Sequence, residues 1–110
     1  MKNHRVEILP AAWDDLREIG EYIAQDSPAA DRMVENIIGS LRRLEQFPLS
    51  APLVPNPDLA REGYRGLVCG AYISFYRPVS ESVFVYHVIH GARNYSVLFE
   101  KMETEDKQDE

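Results

Sequence analysis

Cysteine is nearly absent from this chain: Cys69 is the only one among 110 residues. That excludes an internal disulfide framework and any zinc site built from cysteines. Cys69 lies in an apolar run, where it packs as a small hydrophobe rather than serving as an activated nucleophile. Long apolar stretches are missing too. None reaches the roughly 18 residues of a membrane span, and no signal-peptide pattern precedes the first strand, so we expect a soluble cytoplasmic protein with no membrane partner. Internal repeats are lacking. So is the strong basic patch that marks a general nucleic-acid binder. The net charge is -6, and its distribution is uneven. Residues 1–60 carry six basic and ten acidic side chains, residues 61–102 five and three, and residues 103–110 one and five.

The apolar fraction, 45%, is ordinary for a globular protein. A chain of this length forms one domain and buries roughly two-thirds of the surface its unfolded form exposes. Arg5 to Leu9 alternates polar and apolar and predicts a short strand that Pro10 ends. Ala12, Leu16, Ile19 and Ile23 fall within about 60° at 100° per residue, with Arg17, Glu18 and Glu21 opposite, which predicts an amphipathic helix over 11–25. Trp13 and Tyr22 flank its stripe. Asp26-Ser27-Pro28 breaks that helix and caps the next. Ala30, Met33, Ile37, Leu41 and Leu44 share an arc of about 80°, widened by Ile38 and Phe47, and predict a second helix over 28–47. So short a turn makes the two an antiparallel hairpin.

Pro48 to Asp58 holds four prolines and reads as a loop without helix or strand. Three strands follow: Tyr64 to Cys69, Ala71 to Arg77 after a turn at Gly70, and Ser82 to Ile89. Their short spacers imply an antiparallel meander. Val97, Leu98 and Phe99 suffice for a short C-terminal helical turn. Residues 103–110 are almost wholly charged or polar and are expected to be disordered and dispensable, leaving residues 1–102 as the single domain. The fold class is α+β in the order β-α-α-β-β-β, with the helical hairpin packed on one face of a small antiparallel sheet. The other face is expected to be partly open and lined by Tyr72, Tyr76, Phe84, Tyr86, His90 and Arg93.

The residues with chemistry gather at strand ends. His90-Gly91-Ala92-Arg93-Asn94-Tyr95 closes the last strand, where Gly91 permits a sharp turn. Tyr64-Arg65-Gly66 opens the first strand of the meander. Two arginines at strand ends suit capture of phosphate or carboxylate. Equally, Arg65 suits an ion pair with an acid such as Glu7 on a neighbouring strand, and Arg93 one with Asp15 on the first helix. His87 and His90, three apart on a strand, face opposite sides and do not form a metal site. Tyr72 and Tyr76 share a face, for packing or for stacking on bases. Asp14, Glu18 and Glu21 read as a solvated helix face. Nothing calls for a cofactor or a metal.

Together these segments resemble the RelE/ParE superfamily of bacterial type II toxins, over residues 5 to about 100. The resemblance rests on Ala12-x-x-Asp15-Leu16-x-x-Ile19-x-x-Tyr22-Ile23, on Ser27-Pro28, and on Leu44-x-x-Phe47-Pro48. It continues with Tyr64-Arg65-Gly66-Leu67, Tyr72-x-x-x-Tyr76-Arg77 and His90-Gly91-x-Arg93. It implies a toxin neutralised by a small cognate antitoxin, as a homodimer or a heterotetramer with it. It also implies the same β-α-α-β-β-β order. ParE-like members inhibit DNA gyrase, and RelE-like members cleave messenger RNA on the ribosome. A RelE-like enzyme needs cations at the phosphate and an acid–base group, roles that fall to Arg65 and Arg93 and to Tyr95 or, in its place, His90. A ParE-like protein only binds, and Arg65, Tyr72, Tyr76, His90 and Arg93 are then the target-binding residues. Between Pro48 and Tyr64 the only cation is Arg61. That paucity, the acidic charge, the Tyr-Ile end of the first helix and the His-Gly-x-Arg close are more similar to ParE. A degenerate toxin that only binds its antitoxin is the third alternative.

Overall fold

The computed structural model describes residues 3–24 and 29–91. Strand β1 (Arg5–Ile8) leads into helices α1 (Pro10–Ala24) and α2 (Ala29–Arg42). A 3-10 turn, Arg43–Glu45, ends α2 earlier than the periodicity predicts, so Phe47 lies outside the helix and is largely exposed. Helix α3 (Pro57–Arg61) and strands β2 (Arg65–Cys69), β3 (Tyr72–Val79) and β4 (Ser82–His90) complete the described chain. The turn expected at Ser27-Pro28, the helical turn at Val97 to Phe99 and the tail 103–110 lie outside the described residues. Among the described residues no helix is long and apolar enough to cross a membrane.

The order β-α-α-β-β-β holds, with α3 added. The proline-rich segment 48–58, expected to carry neither helix nor strand, supplies the start of α3 and a bridge from Leu53 to Arg65. Proline explains the helix rather than opposing it. Pro57 stands at the helix start, where a missing N–H is harmless, and the Asn56 side chain accepts from the N–H groups of Asp58 and Leu59.

The sheet runs β1-β4-β3-β2. The meander β2-β3-β4 is antiparallel as its spacers require, turning at Gly70 with φ +60° and at Ser80 with φ 56°. Strand β1 joins β4 in parallel, Arg5 opposite Ser82 and Ile8 opposite Val85, so the sheet as a whole is mixed. Its partner is the last strand, and chain connectivity through the hairpin sets the direction.

The hairpin covers one face. Ala12 and Leu16 of α1 and Ile37 and Leu41 of α2 bury against Tyr72, Tyr76, Val83, Val85 and Val88. The strand faces therefore divide as the alternation requires: Tyr72, Ser74 and Tyr76 look one way, Ile73 and Phe75 the other. The expectation that Tyr72 and Tyr76 line the face away from the helices is overturned, because both belong to the helix-covered core. That other face is not left open at its β2 end. The 54–64 segment folds over it, and Val54, Leu59 and Tyr64 pack on Phe75, with Tyr86 and Ile89 alongside.

Candidate functional site

The outer edge of β4 sets up the site. β1 ends at Ile8, opposite Val85. Leu9 donates to the Val85 carbonyl, and beyond it β4 has no strand on that side among the described residues. Helix α1 fills the gap with one carboxylate. Asp15 Oδ2 accepts the Val88 N–H at 3.0 Å and lies 3.2 Å from His87 Nδ1. A buried edge amide without a partner is costly, so Asp15 completes the ladder that β1 abandons.

Past this junction a cleft of about 480 Å3 opens between α1 and the ends of β3 and β4, lined by Asp15, Glu18, Ile19, Tyr72, Val88 and His90. Tyr72 and His90 are register partners, and their rings meet edge-on with centroids 5.2 Å apart. Gly91 follows at φ +71°, a backbone conformation that favours glycine, and turns the chain off the sheet. Two carboxylates, an imidazole and a tyrosine thus border one cavity beside the His-Gly-x-Arg motif. Glu18, expected on a plain solvated face, stands on its rim. Among the described residues no group of three or more His, Cys, Asp or Glu side chains is placed to hold a metal.

The other expected site residues lie elsewhere. Arg65 and Tyr76 are partners across β2 and β3, remote from the cleft, and both bind the 48–51 backbone. Arg65 Nη1 donates to the Ala51 carbonyl at 2.6 Å and to that of Leu49 at 3.4 Å. Tyr76, wholly buried, donates its hydroxyl to the Pro48 carbonyl at 2.9 Å. Burial raises the Tyr76 pKa, against the lowering effects of the Ala51 backbone and the Arg65 charge. Arg65 has no access to Glu7, because β1 and β2 form opposite edges of the sheet. Arg93 and Tyr95 lie outside the described residues. Of the residues read from the sequence as target-binding, the described fold therefore unites Tyr72 and His90, and separately Arg65 and Tyr76.

A cationic position not anticipated as a site is Arg77. Its guanidinium carbon sits 4.7 Å from the Tyr64 ring centroid and 5.9 Å from that of Tyr86, and Nη2 donates to the Tyr86 hydroxyl at 3.3 Å. Burial alone lowers the Arg77 pKa, but Tyr64, Tyr86 and Glu62 outweigh it and the net direction is upward. The sequence signal was available in Tyr76-Arg77, yet only the packing of the 54–64 segment brings Tyr64 over that cation.

No curated protein matches the sequence. Among solved structures the chain is similar to the chromosomal ParDE toxin–antitoxin system from P. aeruginosa. The TM-score is 0.67 and the identity 17%, covering 80% of this chain and 96% of that one. It is also similar to the toxin–antitoxin complex RelBE2 from Mycobacterium tuberculosis, with a TM-score of 0.61 and 18% identity over 80% of this chain and 98% of that one. At such identities these likenesses establish the fold. A sequence model of the ParE toxin of the type II toxin–antitoxin system parDE matches residues 6–95, spanning every described strand and helix but the first residue of β1. With that match over most of its length, the chain belongs to the ParE toxin family.

Proposed function

We propose that this toxin acts in the cytoplasm by binding DNA gyrase and not by cleaving messenger RNA, and that a small cognate antitoxin holds it inactive. The observation that carries the reading is where the sheet's cations are used. In the antiparallel meander β2 contributes Arg65 and β3 contributes Arg77, while Arg5 stands at the start of β1 on the opposite edge of the sheet. Arg65 is turned onto the Leu49 and Ala51 carbonyls, and Arg77 is held between Tyr64 and Tyr86. Phosphoryl chemistry on RNA needs cations directed at the developing charge, and removal of one such group commonly costs about two to three orders of magnitude in rate. Both arginines of the meander instead support the fold. Tyr72 and His90, with Arg93 two residues after Gly91 in the sequence, are the target-contact set in this reading, and Arg65 and Tyr76, bound to the 48–51 backbone, are structural. The antitoxin reading is supported by family membership and by similarity to structures described as toxin–antitoxin systems.

The decisive experiment runs a gyrase supercoiling assay beside ribosome-dependent messenger RNA cleavage, with purified protein. Supercoiling is expected to fail and transcripts to stay intact. Arg93→Ala is expected to weaken inhibition, while Tyr95→Phe leaves toxicity unchanged, since binding needs no proton transfer. Transcript cleavage that depends on Tyr95, with normal supercoiling, overturns the proposal in favour of RNA cleavage. Inactivity in both assays with retained antitoxin binding identifies a degenerate toxin.

A further inference from the structure

Among the described residues, the far end of β2 is an unpaired sheet edge beside an apolar surface. Phe47, Leu49 and Val68 are 61%, 66% and 64% exposed. Phe47 and Val68 line a single cleft of about 400 Å3 with Leu67, Ser40, Ser50 and Arg43. The backbone is equally open there. At the near end, Gly66 donates outward to the Pro52 carbonyl and Tyr64 accepts from Val54, so the 52–54 segment closes that half of the edge. Residues two apart in a strand direct their backbone groups to the same side. Val68 N–H and C=O therefore also point outward, and among the described residues no backbone bond from outside the sheet reaches them.

Charge selects the partner. Arg43 lines the cleft and Arg42 precedes it in the chain at the end of α2; both are exposed, and neither has an ion-pair partner among the described residues. Between Ser40 and Pro57 the only acid is Glu45. We infer that this edge takes an extended partner segment that alternates apolar with acidic side chains, added as a strand beside Val68. Its backbone would satisfy the outward groups of Val68, its apolar side chains would fill the cleft with Phe47, and its carboxylates would meet Arg42 and Arg43. The chain's own acidic run does not fit, because residues 103–110 hold no apolar side chain. A second copy fits poorly, because a two-fold contact sets the same arginines against each other. The groove between α1 and α2, bordered by Arg17 and Glu35, offers no such preference for charge. The inference rests on the antitoxin reading above and assigns where on this chain the antitoxin is held.

The test titrates the product of the adjacent small open reading frame against the purified full-length protein. Val68→Pro removes the outward N–H, which the ladder to β3 does not use; edge strands accept proline at such positions. Phe47→Ser and Arg43→Glu alter the cleft without touching the strand backbone, and they decide the matter if Val68→Pro melts early. Each variant is expected to bind about tenfold more weakly or worse, whereas Trp13→Ser in the α1–α2 groove stays within about threefold. Raising salt from about 50 to about 300 mM is expected to weaken wild-type binding more than Arg43→Glu binding. Tight binding by the wild type and all three edge variants alike overturns this inference alone. Free protein that is a dimer, dissociated by the edge variants, replaces the antitoxin with a second copy. No binding by the wild type overturns the antitoxin reading and this inference together.

Discussion

Tyr76 illustrates how a residue suited by type to a binding role becomes structural once its surroundings are fixed. Its ring is wholly buried and its hydroxyl holds the Pro48 carbonyl. Tyr76→Phe keeps the ring and leaves that carbonyl without its donor, and is expected to cost about 1 kcal/mol in a denaturant titration. The pH dependence follows from the sign of the shift. The folded pKa is raised above 10.0, chiefly by burial, so the neutral phenol is the form the fold favours. Its contribution is fully present below the unfolded pKa and is lost as pH rises through the folded one. Wild-type stability is therefore expected to fall in the alkaline range above pH 10, and Tyr76→Phe to lack that part of the fall. Asp15 makes the same point from the other direction. On sequence alone it was a carboxylate of the first helix that could hold Arg93; in the fold it completes a sheet edge through Val88 and His87.

Among the elements, α3 is the one whose existence depends most on its cap. Five residues do not form a stable helix by propensity, because nucleation is costly. Asn56 receives two N–H groups, Pro57 supplies a preset φ, and Leu59 anchors the turn in the second core. Asn56→Ala is expected to destabilise the protein by about 1 kcal/mol. Since α3 holds Tyr64 over Arg77 through the Leu59–Tyr64 turn, the same variant is expected to raise amide exchange at Leu59 to Tyr64 before it does so in β3. Uniform loosening of the whole sheet would show that α3 is not a separate unit. The helical hairpin has no such dependence, since both helices bury a broad apolar stripe against the sheet.

At the scale of the whole molecule, β1 is the clamp. It joins the N-terminal segment to the last strand, Arg5 opposite Ser82, and so closes the chain around the hairpin. Val6 and Ile8 pack on the main core from this edge. Removing residues 1–9 is expected to cost about 2–3 kcal/mol, since Val6 and Ile8 are half-buried and each contributes less than the roughly 1.5–3 kcal/mol of full burial, besides the lost ladder. A melting curve of the shortened chain checks this, and an unchanged midpoint would show that β1 adds little.

Local pattern was enough for the parts of this protein whose partners are near in sequence. The 3.6-residue stripes of α1 and α2, the alternation in β3 and the short turns at Gly70 and Ser80 fix the hairpin and the meander, because each signal involves neighbours only. The family resemblance implied the same order of elements that those signals had already given. Distance in the chain decided the rest. That β1 pairs with β4 in parallel, that Asp15 finds Val88, and that Tyr64 closes over Arg77 each depend on residues brought together after the chain has folded back. The site divides for the same reason. Tyr72 and His90 come to one cleft because register makes them opposite, and Arg65 turns away because the proline-rich segment lays the Leu49 and Ala51 carbonyls beside its guanidinium. Residue type specified which groups were able to bind an anion or a target; only tertiary packing, by satisfying or exposing each polar group, decided which of them were engaged in the fold.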